Sequence, residues 1–176
     1  MQRPITYLSD EALLADCDVH VYRASGPGGQ HRNRNNTAVR LHHRPTGITA
    51  TAADLRSQGG NRKIALKRLK MNLAVRLRNP VSPEDEPLPD ILAECLYKPK
   101  NTDTPRKLSI GKKDGRFWDV AAILLDMLES EKGRLSPVAE KLRISTGNLS
   151  SVLKSERHIL AAAIKIRRQN GLRPLR

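Results

Sequence analysis

The stretch that decides the fold is Asp18-Val19-His20-Val21-Tyr22-Arg23-Ala24, followed at once by Ser25-Gly26-Pro27-Gly28-Gly29-Gln30. The first seven residues alternate, with Val19 and Val21 on one face and His20 and Tyr22 on the other, so the spacing predicts a half-buried strand from Asp18 to Ala24. The next six hold three glycines and a proline, which cannot continue a strand and predict a loop. Downstream, Ala38–Arg44 and Gly47–Ala53 are two more strand candidates, joined by the turn residues Pro45-Thr46-Gly47. Upstream, Ser9-Asp10-Glu11 before Ala12-Leu13-Leu14 predicts a short capped helix.

Asn61 to Arg78 is the strongest helix of the first half. Leu66, Leu69, Leu73 and Leu77 make its apolar stripe, and Lys63, Lys67 and Lys70 line another face. Strand, loop, hairpin and helix form one compact unit over residues 1–78. Residues 79–116 open with Pro80, Pro83, Pro87 and Pro89 among Glu84, Asp85 and Glu86, the composition of a linker. A short helix over Ile91–Leu96 and a short strand over Lys107–Ile110 follow. From Phe117 the pattern is helical. A first helix is filled by Val120, Ile123, Leu124, Leu125, Met127 and Leu128, and a second starts at Ser136-Pro137. A third is capped by Ser145-Thr146, and a fourth is opened by Ser155-Glu156 and ends before Gly171. The short spacing around Arg143-Ile144-Ser145 is that of a helix-turn-helix. The fold class expected is α+β: a small domain of three or four strands with a packed basic helix, then a helical module over 117–176.

Charge narrows the function. Thirty-two Lys and Arg face 18 Asp and Glu, a net charge of +14. Residues 1–78 carry 14 basic and 5 acidic side chains, 79–116 carry 7 and 7, and 117–176 carry 11 and 6. A basic excess at both ends predicts two RNA-facing surfaces. Cys17 and Cys95 stand far apart and read as thiols of a reducing compartment, with no metal site and no cofactor implied. No membrane span or signal peptide is evident, and a cytoplasmic monomer is the expectation.

The glycine loop is not followed by Gly-Lys-Ser/Thr, so the sequence does not support a nucleotide-binding P-loop. His20, His31, His42, His43 and His158 sit in no nucleophile motif, so each reads as a strand-face or surface histidine.

The longer string is more specific. Arg23 through Asn33, then Ala38-Val39-Arg40-Leu41, Pro45-Thr46-Gly47-Ile48, Arg56-Ser57-Gln58 and Asn61, resembles in order and spacing the peptidyl-tRNA hydrolase domain of class I release factors. The resemblance covers roughly residues 18–77. It implies that Gly28, Gly29 and Gln30 are the catalytic signature, placed in the peptidyl-transferase centre beside the ester joining peptide to tRNA. Two glycines let the backbone approach RNA with no Cβ in the way. The Gln30 N–H is then the donor that stabilises developing negative charge, a role needing only position. The Gln30 side chain shapes the pocket for water, and in relatives this glutamine is N5-methylated, so a glutamine methyltransferase is an expected partner. The ribosome and the tRNA ribose hydroxyl supply the proton path, so no triad is needed.

By the same resemblance Ser25, Gly26, His31, Asn33 and Gln58 support the loop. Arg23, Arg32, Arg34, Arg40, Arg44, Arg56 and Arg62, with Lys63, Lys67 and Lys70, meet phosphates of large-subunit ribosomal RNA. The sequence departs from the family at Arg32, where valine is usual, and at Leu55, where an acid commonly precedes Arg-Ser-Gln; Leu55 is expected to remove a support for the loop. Stop-codon-reading domains have no room in 176 residues, so codon-independent release or rescue of stalled ribosomes is the expectation. The alternative is a nucleic-acid-binding regulator working through the helix-turn-helix, for which Thr146–Lys154 offers Asn148 and Lys154 as base-reading side chains.

Overall fold

A computed structural model describes residues 9–23, 36–79, 88–98 and 106–175. The architecture is α+β, and the chain divides into two compact units, one over Pro4–Leu73 and the other from Ala74 onward.

In the first unit, α1 (Asp10–Ala15) is capped by Ser9, whose side chain accepts from the Ala12 N–H. Three strands follow: β1 (Cys17–Tyr22), β2 (Ala38–His43) and β3 (Thr49–Ala52), forming one antiparallel sheet in the order β1-β2-β3. Each strand is slightly shorter than its pattern suggested. The hairpin closes where His43 donates to the Ile48 carbonyl at 2.9 Å and Gly47 donates back to His43 at 2.8 Å. Gly47 holds φ +68, a conformation that favours a residue without Cβ. The register pairs Leu41 with Val19 and Ala50, and Val39 with Val21 and Ala52. Those residues share one face, because side chains alternate along a strand. Val39 and Leu41 on the central strand are fully buried, whereas Val19 and Val21 on the edge strand stay 38% and 39% exposed.

The long helix α2 (Gln58–Arg76) covers the inner face with Ala65, Leu66, Leu69 and Leu73. It begins three residues before the expected Asn61. Ser57 makes this possible: its hydroxyl accepts from Gly60 N–H at 3.3 Å, a donor that a first turn leaves orphaned, and its carbonyl takes the first intrahelical bond, from Asn61 N–H at 3.0 Å. The apolar stripe starts only at Ala65, so periodicity alone cannot find that first turn. Leu77 lies past the helix end, half-buried. Two side chains fix the helix along β3: Arg68 donates to Thr51 O at 2.8 Å and Asn72 to Thr49 O at 2.9 Å.

The next element of the second unit is α3 (Asp90–Ala93), shorter than the 91–96 helix expected because Leu96–Tyr97 leaves it to form strand β4. This two-residue strand pairs antiparallel with β5 (Lys107–Leu108), a pairing too short to leave an alternation pattern in sequence. Next come α4 (Phe117–Ser130), α5 (Leu135–Lys141), α6 (Thr146–Lys154) and α7 (Arg157–Gln169). Helix α4 is buried at every position from Val120 to Leu128, the pattern of a helix enclosed by its unit, with Asp126 as the one acid in that run. Its buried Asp126 accepts the Asn79 N–H at 3.0 Å. The turn between α4 and α5 puts Lys132 and Gly133 at positive φ, and Arg143 does the same between α5 and α6. Ile144 N–H then reaches Ala139 O at 3.0 Å, closing α5 in the six-to-one pattern of a helix C-terminus. Glu156, rather than Ser155, caps α7, its carboxylate accepting from His158 N–H at 2.6 Å and Ile159 N–H at 3.2 Å.

Among the described residues no helix is long and apolar enough to cross a membrane, and no group of three His, Cys, Asp or Glu could hold a metal.

Candidate ribosomal RNA-facing site

Antiparallel order sets the site's geography. The C-terminal end of β1, the N-terminal end of β2 and the C-terminal end of β3 lie at one end of the sheet. Arg23 and Asn36, the described residues flanking segment 24–35, therefore stand together there. The expected catalytic residues Gly28, Gly29 and Gln30 lie outside the described residues, as do Ser25, Gly26, His31, Arg32, Asn33 and Arg34.

What holds that end together is Asn61, which is fully buried. Its carbonyl oxygen accepts from Asp54 N–H at 3.0 Å and Leu55 N–H at 2.8 Å; its amide donates to Thr37 O at 2.7 Å and Leu55 O at 2.8 Å. All four hydrogen-bonding positions of the carboxamide are used. The first turn of α2, the β3–α2 connection and the entry to β2 are thereby tied at one point. Leu55, expected to weaken this region, is gripped by its backbone through both the N–H and the carbonyl. The carboxylate of the connection is Asp54, whose oxygens take both terminal nitrogens of Arg68 at 2.7 and 2.9 Å, and whose pKa is lowered chiefly by those bonds. Sequence reasoning does not single out Asp54, Arg68 and Ser57 as supports. A lone acid, a helical arginine and a serine carry no pairing signal until the chain is folded.

The described candidate cations fall into two groups, with Arg40 apart from both. Arg56, Gln58 and Arg62 belong to the β3–α2 connection and the first turns of α2, near Asn61 and so at the same end as Arg23. Lys63 and Lys67 follow along the helix. Arg23, Arg56, Arg62, Lys63 and Lys67 are exposed, and none has an ion-pair partner among the described residues. Arg40 lies mid-sheet on the outer face, its guanidinium 5.5 Å from the centre of the Tyr22 ring, a cation–π distance. With His20, His42 and Thr49 these two line an open concavity.

The other two cations lie at the opposite end, and each is already occupied. Arg44 donates to Asp18 at 3.2 Å and to Ala15 O at 2.5 Å. Lys70 donates to Asp10 at 2.5 Å, which ties α2 to α1. Asp18 also accepts from His42 Nδ1 at 3.2 Å; the His42 and Arg44 bonds hold its carboxyl below the usual range. Asp10 and Asp18 thus neutralise the end away from Arg23 and Asn36, while Asp54, at the near end, is taken up by Arg68.

Among the described residues His43 is the one histidine at zero exposure. Nδ1 lies 2.8 Å from Thr46 Oγ1, Nε2 has no partner among the described residues, and burial pushes the imidazole pKa down. It is a neutral side chain fastening the hairpin. In the second unit, Asn148 is spent internally: its carbonyl oxygen accepts from Leu108 N–H at 2.8 Å and its amide donates to Leu108 O at 3.1 Å. One of two side chains that could read base edges is therefore committed to the edge of β5.

The RF-1 domain family matches residues 11–87. The chain is 32% identical over 144 residues to peptide chain release factor 1 of Xylella fastidiosa (strain 9a5c), covering 73% of this chain and 35% of that protein. It is 52% identical over 59 residues to peptide chain release factor 2 of Variovorax paradoxus (strain S110), covering 34% of this chain and 16% of that protein. Against peptide chain release factor 1 of Geobacter sulfurreducens (strain ATCC 51573 / DSM 12127 / PCA) identity is 52% over 59 residues, covering 34% and 17%. The chain thus spans about a third or less of the length of these relatives. By its matched sequence, and with a three-stranded sheet packed under one long helix, residues 11–87 of this chain are an RF-1 domain, the GGQ domain of class I release factors.

Proposed function

We propose that this chain hydrolyses the ester of peptidyl-tRNA within the ribosome, without reading a codon, and so releases nascent chains from stalled complexes. The observation that carries the reading is the RF-1 match over residues 11–87, which encloses Gly28-Gly29-Gln30. In this scheme the Gln30 N–H stabilises negative charge developing at the ester, and water admitted beside the Gln30 side chain attacks the carbonyl carbon. The partners are large-subunit ribosomal RNA and peptidyl-tRNA, with a methyltransferase acting on Gln30. Arg23, Arg56, Arg62, Lys63 and Lys67 supply phosphate contacts, which position a protein without reading sequence. Their lack of neutralising partners among the described residues supports that assignment; Arg44 and Lys70 serve the fold.

The test is release of a labelled peptide from ribosomes stalled without a stop codon and from isolated large subunits. Release from both supports a codon-independent hydrolase, and release only on stop-codon complexes or on neither overturns it. The regulator reading gains nothing, since Asn148 is committed to β5.

A further inference from the structure

Helix α7 (Arg157–Gln169) contains no acidic residue, and Glu156, just before it, is used as its N-cap. Its buried face is Ile159, Ala162, Ala163 and Ile166, which packs into the second unit. The opposite face carries Arg157, Ala161, Lys165 and Arg168, all exposed and spaced at i, i+4, i+8 and i+11. That spacing keeps them on one side of the helix, over about 16 Å of its axis at 1.5 Å per residue. Alanine between the cations leaves the backbone close to whatever lies against it.

Neighbouring charges are used differently. Arg167 turns back into the unit, donating to Gly133 O at 2.5 Å and Arg173 O at 2.8 Å. Glu131 pairs with Arg134, and Asp126 is buried. Arg157, Lys165 and Arg168 have no ion-pair partner among the described residues. Three aligned, unneutralised cations on a folded helix match a polyanion better than bulk water, where their mutual repulsion is only screened.

We propose that this outward face of α7 is a second RNA-phosphate contact, which adds affinity for ribosomal RNA beyond that of the RF-1 domain. The proposal rests on the reading that the partner is a ribosome, but its test needs no hydrolysis. Binding of the full chain to a mixed-sequence RNA duplex is measured as a function of salt, comparing Lys165→Gln/Arg168→Gln with Lys112→Gln/Lys113→Gln. The latter removes the same charge from two exposed lysines elsewhere in the second unit. Removing one cation from a phosphate lowers the slope of log K against log salt by about 0.9. The α7 pair is expected to lower it by about two and weaken binding by about tenfold or more, with the control pair near wild type. Equal effects of the two pairs, or no effect of the α7 pair, overturn the proposal. So does weakened binding to whole subunits with duplex binding unchanged, which points to an acidic protein partner. Circular dichroism checks that both variants fold, and peptide release is scored separately, so failure of the hydrolase reading is distinguishable.

Discussion

The Asn61 amide donates to the Thr37 carbonyl at 2.7 Å, joining the first turn of α2 to the residue that leads into β2. The same carboxamide holds Asp54 and Leu55. Because it is buried, its partners are left without water as well as without a hydrogen bond if the group is removed. Leaving one buried group unsatisfied costs about 1–3 kcal/mol, and Asn61→Leu strands several. The variant is expected to lose about 3 kcal/mol or more of stability, read by thermal or urea unfolding of the first unit. Asn61→Asp keeps the two accepted bonds but sets a carboxylate against the Thr37 and Leu55 carbonyls, so it is expected to be no better than Leu. Unfolding midpoints within about 1 °C of wild type for both would show that Asn61 is not the tie.

The two groups of cations predict a split between binding and stability. Arg62→Gln and Lys63→Gln remove exposed, unpaired charges, so each is expected to weaken large-subunit binding and lower the salt slope by about one. Arg44→Gln is expected to leave that slope unchanged, because its guanidinium is held by Asp18 and Ala15 O. Its cost is a small loss of stability, as for other solvent-screened pairs. Equal slopes for all three variants would refute the division.

The strands, the hairpin turn and the long helix were legible in sequence because each rests on a local signal: alternation, the turn residues Pro45-Thr46-Gly47, or a leucine stripe. Asn61 was visible only as a member of the resembling string. A buried carboxamide serving three chain segments has no period and no composition. The same holds for Lys70, which belongs to a lysine stripe by spacing but to Asp10 by position. Strand β4 was missed because two residues cannot display alternation. Gly28, Gly29 and Gln30, which carry the proposed chemistry, came from resemblance and lie outside the described residues.

Burial of His43 makes stability pH-dependent in a defined direction. Its folded pKa lies below its ordinary value of 6.5, so the unfolded chain binds a proton that the native state refuses. This contribution is fully present above about pH 6.5 and is lost as pH falls from there toward the depressed folded value. Asp18 acts in a separate window, below its ordinary 3.8, where protonation removes its pairing with His42 and Arg44. Urea midpoints are expected to fall between pH 7 and pH 5, and His43→Met to flatten that part of the profile. An unchanged slope in the variant would assign the dependence elsewhere.

Gly133 tests how the second unit closes. It sits at φ +80, and a Cβ there would meet the Arg167 Cα at 3.0 Å and the Arg167 Cγ at 3.1 Å. The Cα belongs to helix α7 and cannot swing aside as a side-chain tip can. Gly133→Ala therefore combines left-handed backbone strain with overpacking, each worth on the order of 1–3 kcal/mol. Gly171→Ala is the matched control, since φ is +71 but nothing lies within 4 Å of the added methyl. Strain alone should cost the control about 1 kcal/mol, and Gly133→Ala should exceed it by at least that much. If the two variants unfold at the same denaturant concentration, the approach of Arg167 to the α4–α5 turn is looser than 3.0 Å implies. In that event the bond from Arg167 to Gly133 O would not hold the end of α7 in place.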